Sequence, residues 1–129
     1  HVPAAIAWTT WEATIITLRP DPAHVAAQAE PANATAFARI ENHFFVHEGW
    51  LAEGQLLAGI DPIRDIPTVI VQGRYDICTP MMTAWDLHRA WPEAELVIVD
   101  DAGHAATEPG IQAALVAATD GFSGATARA

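Results

Sequence analysis

Apolar side chains recur at helical spacing through the first half of the chain. Between Ala4 and Leu18 a tryptophan or aliphatic residue returns every three or four positions, and Pro20 follows the run. Phenylalanine and isoleucine recur in the same way between Thr35 and Glu48. Shorter helices are expected within the Ala- and Pro-rich residues 21–33 and over residues 53–58. The first half is therefore predicted to be built of helices.

The pattern changes near residues 61–66, after which two short runs of β-branched and aliphatic residues occur. Residues 68–72 form the first run and residues 95–100 the second. Each run is typical of a strand that is buried on both faces. A helix is predicted between them, and the order strand, helix, strand indicates two parallel strands joined by a right-handed crossover.

Sequence signals also mark the ends of the helices in this second half. Thr79 and Pro80 fit the N-cap and the first position of a helix that runs to about Trp91. Pro109 begins a last helix that is predicted to run to about Thr119. Residues from Gly121 onward are predicted to be a frayed tail.

Two parallel strands do not make a stable sheet, because each needs neighbours at its edges and cover on its faces. We therefore expect an α/β fold in which residues 61–129 are the last part of a larger sheet. Residues 1–60 are expected to be a helical segment inserted before it. An N-terminal part of the same fold is expected to be missing, and the chain indeed begins without Met.

Composition limits the classes of function. The 129 residues are 51% hydrophobic and 17% charged, which is typical of a globular domain. The formal net charge of −10 repels phosphate backbones, so no nucleic-acid partner is expected; it suits a cationic ligand or simply solubility. No apolar run reaches the roughly 18 residues of a membrane span. The single cysteine, Cys78, excludes an internal disulfide, and the cytoplasm is the expected location.

An acid and a base follow the two predicted strands. Asp76 comes just after the first strand and His104 just after the second. Functional groups of open α/β sheets cluster at the carboxyl ends of strands, so the two side chains are expected to meet. An Asp that accepts the Nδ1 proton of a His fixes the tautomer of that His for catalysis. The alternative is a helix-capping Asp and a solvated His.

A nucleophile is not evident. The order Asp and then His is that of α/β-hydrolases, whose serine lies upstream in a Gly-x-Ser-x-Gly turn, and no such turn occurs here. The only serine, Ser123, lies near the C-terminus. Cys78 precedes a predicted helix, which would lower the pKa of its thiol. We favour the interpretation that Cys78 is a small side chain packed beside the site.

Two glutamates form a second candidate site in the helical half. Glu12 lies on the helix face of Trp8, and Glu41 lies on the helix face of Phe37. A buried carboxylate needs a positive partner, so the pair would suit a protonated amine. Alternatively, each glutamate forms an ion pair with a nearby arginine, Arg19 or Arg39, or sits at a helix edge.

Histidines give little indication of a metal. His43 and His47 are spaced to share a helix face, but they offer two ligands and leave the others unnamed. The six histidines contain no His-Glu-x-x-His motif. We therefore expect no metal site.

Several short motifs stand in order along nearly the whole chain. They are Trp8-x-x-Trp11-Glu12, Ala38-Arg-Ile-Glu-Asn-His43, Val71-Gln-Gly-Arg-Tyr-Asp76, Ala84-Trp85-x-Leu87, Ala90-Trp-Pro-Glu-Ala94, and Ala102-Gly-His104 with Glu108-Pro-Gly110. Together they resemble the proline iminopeptidases, which are prolyl aminopeptidases of the α/β-hydrolase fold. A small departure is Ala105 after His104, where serine is frequent.

The resemblance implies roles for the candidate residues. Asp76 and His104 would be the acid and base of a Ser-His-Asp triad, and Glu12 and Glu41 would bind the free amine of an N-terminal proline. Residues 1–60 would be a cap segment and residues 61–129 the C-terminal part of the hydrolase core. The expected partners are peptides with an N-terminal proline and the missing N-terminal part, and no cofactor is implied.

Two other functions stay open from the sequence. One is an epoxide hydrolase, dehalogenase or C–C hydrolase with the same fold, which would use a different nucleophile and cap. The other is a non-catalytic binding module, because these 129 residues contain no evident nucleophile.

Overall fold

The computed structural model describes residues 1–126, which form six α-helices and one two-stranded parallel sheet. The helices are α1 (Val2–Ile15), α2 (Pro22–Gln28), α3 (Pro31–Val46), α4 (Gln55–Ala58), α5 (Met81–Ala90) and α6 (Pro109–Thr126). The strands are β1 (Val69–Gly73) and β2 (Glu95–Val99). Single 3-10 turns lie at Glu48–Trp50 and Asp61–Ile63.

Helix α1 packs against α3 and α2 in the first half of the chain. The buried residues of α1 and α3 are small, namely Thr9, Ala13, Ala34 and Ala38. Small side chains let the two helix backbones approach closely, so the larger aromatic residues lie beside the contact. Many of those aromatic side chains remain exposed, including Trp11, Phe37, Phe44 and Phe45.

The helices of the first half differ from the prediction at their ends. Helix α1 ends at Ile15 rather than at Leu18. The carbonyl of Ile16 instead accepts N–H groups from residues 104 and 105, so the chain leaves the helix to make a tertiary contact. Helix α3 begins at Pro31, four residues earlier than predicted, because proline fits the first turn of a helix.

The second half contains the predicted parallel strand pair. Strand β1 pairs with β2 from Val69 opposite Glu95 to Gly73 opposite Val99. Helix α5 connects them and contacts both strands, and α6 contacts both as well. Trp91 anchors the core of this half with Ile60 and Ala94, and its indole N–H donates to the Arg64 carbonyl over 2.9 Å.

Two helix boundaries of the second half were predicted wrongly. Pro80 is the N-cap of α5, one position later than expected, and Thr79 lies outside the helix. Helix α6 continues to Thr126, so the frayed tail predicted from Gly121 is not observed up to that residue. No proline interrupts this stretch, and its alanines favour a helix. Residues 127–129 lie outside the described residues.

None of the helices described in residues 1–126 is long and apolar enough to cross a membrane. The change from helices to strands falls between Ala58, where α4 ends, and Val69, where β1 begins. The division into a cap segment over residues 1–60 and a core segment over residues 61–129 stays a prediction.

Candidate active site

The carboxylate of Asp76 lies in the turn that follows β1 and is almost completely surrounded by donors. Its Oδ1 accepts the backbone N–H groups of Cys78 over 2.9 Å and of Thr79 over 2.8 Å. Its Oδ2 accepts the Thr79 hydroxyl over 2.8 Å and the Gln72 side-chain amide over 3.2 Å. The local sequence Asp-x-x-Thr therefore folds back on its own aspartate, which holds the carboxylate in one orientation.

Asp76 is buried, and its environment favours the ionised form. Burial raises the pKa of Asp76, but hydrogen bonds from the Thr79 N–H, from His104 and from the Thr79 hydroxyl lower it by more. The pKa of Asp76 therefore lies below its ordinary value. A carboxylate that stays ionised can stabilise positive charge on a neighbouring imidazole.

His104 lies in the loop after β2 and meets Asp76 as the sequence predicted. Its Nδ1 is 2.9 Å from Asp76 Oδ2, and Thr79 Oγ1 lies 3.2 Å from the same nitrogen. With Nδ1 donating to Asp76, Nε2 is left as the proton acceptor. The His104 side chain is 40% exposed, so the imidazole is accessible while its partner is buried.

The end of β1 and the loop after β2 touch at a pair of glycines, Gly73 and Gly103. A Cβ atom on Gly73 would lie 1.8 Å from the carbonyl oxygen of Gly103 and 2.8 Å from that of Ala102. The Tyr75 N–H also donates to the Ala102 carbonyl over 3.0 Å. Only glycine at position 73 lets the His104 loop approach the Asp76 turn this closely.

Glu12 and Glu41 face each other between α1 and α3. The indole N–H of Trp8 donates to Glu41 Oε2 over 2.6 Å. Glu12 Oε2 is buried and has no hydrogen-bond partner among residues 1–126. Within those same residues no ion pair joins either glutamate to Arg19 or Arg39, which was the alternative considered from the sequence.

The electrostatics of this pair differ sharply from those of Asp76. Burial, together with the adjacent carboxylate of Glu41 and its negative charge, raises the pKa of Glu12 to about 7. Two carboxylates that cannot both be comfortably ionised form a site that favours a cation or a shared proton.

Three of the four predicted site residues, Glu12, Glu41 and His104, line one cavity of about 670 Å³. Thr79 lines it as well, and Asp76 is hydrogen-bonded to both Thr79 and His104. Aromatic and aliphatic side chains complete the wall, namely Trp8, Trp11, Ile15, Phe37, Phe45 and Ile77. The structure therefore places a carboxylate pair and His104, the partner of Asp76, around the same apolar space.

Several residues of the site were not found from the sequence. Thr79 was assigned to a helix cap, yet its hydroxyl supports Asp76. Gln72, on β1, donates to Asp76 and to the Thr79 carbonyl. His24 and Gln28, from α2, also line the cavity, although residues 21–33 gave no sign of a site. The Asp-x-x-Thr spacing was the one available signal, since it is typical of an Asx turn.

Cys78 lines the cavity but is not activated. Burial and the negative charges of Asp76, Glu12 and Glu41 raise the pKa of its thiol. The expectation that a helix N-terminus lowers the pKa of Cys78 was therefore wrong, because burial and nearby carboxylates disfavour the thiolate. Ser123 lies in α6, where its hydroxyl donates to the Asp120 carbonyl over 2.9 Å.

One cluster within residues 1–126 has three potential metal ligands. Ligand atoms of Asp76, Cys78 and His104 lie within 4.8 Å of one another. Asp76 and His104 are already hydrogen-bonded to each other, so a metal would have to compete with that bond. The rings of His43 and His47 lie 4.8 Å apart at the end of α3, but no third ligand joins them in the described part of the chain.

Comparison with known proteins decides the family. Residues 2–110 match the model of a protein family that is described as the alpha/beta hydrolase fold. The chain belongs to the α/β-hydrolase fold family. This confirms the predicted fold class, and in such hydrolases the late Asp and His follow strands as Asp76 and His104 do here.

Individual relatives of this chain are named as proline iminopeptidases. The chain is 57% identical to one from Arabidopsis thaliana over 118 residues, covering 91% of the chain and 31% of that protein. It is 50% identical to one from Xanthomonas citri, covering 93% of the chain and 39% of that protein. A Neisseria gonorrhoeae protein of the same name is 50% identical, covering 91% of the chain and 36% of that protein. The chain thus spans roughly a third of these relatives' length, and the resemblance seen in its motifs is confirmed.

Proposed function

We propose that the hydrolase to which this chain contributes is a serine aminopeptidase that releases N-terminal proline from peptides. The observation that carries the proposal is the shared cavity, which is lined by a carboxylate pair and by His104, the partner of Asp76. The names of the relatives support the same activity. The nucleophilic serine would come from a part of the protein outside these 129 residues.

His104 would act as the general base. Its Nδ1 is held by Asp76, so Nε2 takes the proton of the serine hydroxyl as the oxygen attacks the prolyl carbonyl. The imidazolium then gives this proton to the nitrogen of the leaving peptide, which departs as an amine. Water hydrolyses the resulting prolyl ester by the same base, and free proline and the serine hydroxyl are restored.

Glu12 and Glu41 would bind the free amine of the substrate. The amine of an N-terminal proline is a protonated secondary amine with two N–H donors, one for each carboxylate. Glu12 Oε2 is buried without a partner in residues 1–126, so a bound ammonium would supply the missing donor and charge. The aromatic side chains around the cavity suit the apolar pyrrolidine ring.

The amine site would restrict cleavage to the first residue. A peptide bond further along the substrate has no positive charge at the corresponding position, so it gains nothing from two carboxylates. The carboxylate pair also distinguishes this proposal from epoxide or C–C hydrolysis, whose neutral substrates would leave both charges unpaired.

The test compares a prolyl amide with its N-acetylated counterpart. We expect the full-length hydrolase to cleave only the free-amine substrate, and we expect these 129 residues alone to cleave neither. An alanyl amide serves as the control for the ring, because it keeps the free amine. Equal cleavage of both prolyl substrates would remove the amine site from the proposal, and activity of the isolated chain would show that it holds its own nucleophile.

A further inference from the structure

The carboxylate of Glu108 joins two segments that are distant in sequence. Glu108 lies directly before α6 and is partly buried. Its Oε1 accepts the Gly103 N–H over 2.7 Å, and its Oε2 accepts the Leu18 N–H over 3.0 Å. Each oxygen thus binds the backbone of a different segment, one after α1 and one beside His104.

Direct backbone contacts join the same two segments. The carbonyl of Ile16 accepts the N–H groups of both His104 and Ala105, each over 2.8 Å. Residues 16–18 and 103–105 are therefore held together by four hydrogen bonds, two of them through Glu108. We call this contact the 16–18/103–105 crossing.

The crossing leaves little space for movement. A Cβ atom on Gly103 would lie 3.0 Å from Leu18 N and 3.2 Å from both Glu108 Oε1 and Ile16 O. These distances are shorter than ordinary contacts, so the segments would have to separate to admit even a methyl group. The Glu108 carboxylate fills the remaining gap between the two backbones.

The crossing also links the two halves of the candidate site. Ile16 caps α1, and its N–H donates to the Glu12 carbonyl over 3.2 Å, so Glu12 lies one helical turn before the crossing. On the other segment, His104 is itself a member of the crossing. The distance between the Glu12 carboxylate and the His104 imidazole therefore depends on the crossing, whose two segments Glu108 binds.

We propose that Glu108 is a positioning residue that fixes the distance between the amine-binding carboxylates and His104. The inference rests on the proposed function, because an aminopeptidase must hold an amine and a carbonyl at the fixed spacing of one residue. Glu108 does not line the cavity, so it would act through the two segments and not on the substrate. A misplacement of about 1 Å between reacting groups can cost roughly 100-fold in rate.

The test is Glu108→Gln in the full-length hydrolase. The amide keeps the shape of the side chain but turns an NH₂ group toward one of the two N–H donors, so one hydrogen bond is lost. We expect kcat per folded enzyme to fall roughly 10- to 100-fold. We expect KM for a prolyl amide to stay within about threefold, since Glu12 and Glu41 keep their charges. Glu53→Gln, an exposed turn position with the same change of charge, is the matched control.

Amide hydrogen exchange supplies a readout that is independent of activity. In Glu108→Gln, exchange should accelerate at Gly103 or at Leu18, whichever amide faces the new NH₂ group, while the paired amides of β1 and β2 should keep their rates. A second variant, Gly103→Ala, keeps Glu108 but forces the segments apart, and it should show the same fall in kcat with little change in KM.

The outcomes separate this inference from the proposed function. If the parent enzyme cleaves free and N-acetylated prolyl amides equally, the proposed function fails whatever Glu108 does. If the parent discriminates but Glu108→Gln keeps kcat within about twofold, the positioning role is overturned. Unchanged exchange at Gly103 and Leu18 would overturn it too, and loss of folded protein in both variants would assign the crossing to stability alone.

Discussion

Two carboxylates of the candidate site have opposite environments. Asp76 accepts hydrogen bonds from two backbone N–H groups and from three side chains, and its pKa lies below the ordinary value. Glu12 has a buried oxygen without a partner in the described residues, and its pKa is raised to about 7. Glu12 lines the cavity, and Asp76 is hydrogen-bonded to His104, which lines the same cavity.

The difference separates a carboxylate whose hydrogen bonds are complete from one that has an unpartnered buried oxygen within residues 1–126. The negative charge of Asp76 is matched within the protein by the His104 side chain and by dipoles of its own turn. The charges of Glu12 and Glu41 have no cationic partner in residues 1–126. An unsatisfied buried polar atom costs about 1–3 kcal/mol, and a bound ammonium would recover that free energy.

Removing the charge of Asp76 should have the largest effect. With Asp76→Asn, the imidazole of His104 loses its acceptor and can adopt the wrong tautomer. We expect kcat of the full-length enzyme on a prolyl amide to fall about 10⁴-fold, as this substitution does in Ser-His-Asp triads.

Asp86→Asn, at an exposed position of α5, is the control for the loss of a negative charge. A fall in kcat of less than about tenfold in Asp76→Asn would remove Asp76 from the catalytic pair.

Neutralising Glu41 should act on binding. Glu41→Gln removes one charge-assisted hydrogen bond to the substrate amine, so KM for the prolyl amide should rise roughly 10- to 100-fold. Steady-state kinetics measure the effect, and Glu53→Gln provides the matched control. An unaltered KM would contradict the role of this residue in amine binding.

The raised pKa of Glu12 predicts pH dependence in a stated direction. Below about pH 7 Glu12 is protonated in the free enzyme, so KM for a free-amine substrate should increase as the pH falls through that value. In Glu41→Gln the pH midpoint of this change in KM should move down toward 4.5, because the negative charge of Glu41 is removed. It should stay above 4.5, because burial, the largest cause of the raised pKa of Glu12, remains.

Folding stability responds to the same titration. The folded pKa of about 7 exceeds the ordinary value of 4.5, so the folded state holds the proton more tightly. Stability should therefore decrease as the pH rises from about 4.5 to about 7, and Glu12→Gln should remove this component. Thermal unfolding across this range measures it, and an identical pH profile in the variant would show that Glu12 does not titrate there.

Loss of the Thr79 hydroxyl should have the smallest effect. Thr79→Val removes one donor to Asp76 Oδ2, but the backbone N–H of residue 79 still binds Oδ1. We expect a loss of stability of about 1 kcal/mol and a fall in kcat of less than about tenfold. Thr83→Val, at an exposed position of α5, is the control. A loss as large as that of Asp76→Asn would place Thr79 in the chemistry itself.

The sequence predicted the elements that depend on local pattern. Both strands and all of the longer helices follow from the spacing of apolar residues, and the meeting of Asp76 and His104 follows from their places after parallel strands. Spacing alone gave weaker support to the prediction that Glu12 and Glu41 lie together, because their contact depends on how α1 and α3 pack.

Features that depend on tertiary contacts were not predictable. Helix α1 ends early because the Ile16 carbonyl is used by the His104 loop, a partner 88 and 89 positions away in sequence (104 and 105 minus 16). The raised pKa of Cys78 depends on burial and on carboxylates from three separate segments. Glu108 stands in a recognisable motif, yet no local pattern indicates that its two oxygens bind different backbones.

The 16–18/103–105 crossing also has a consequence for the order of folding. Leu18 and Glu108 are 90 positions apart, so their contact closes most of the chain into one loop. Contacts of such separation carry a high entropic cost and form slowly compared with local helices and turns. We expect the α1–α3 pair and the β1–α5–β2 unit to form first. The loop that carries His104 would then be fixed only in the final step, when residues 103–105 form their hydrogen bonds with residues 16–18 and Glu108.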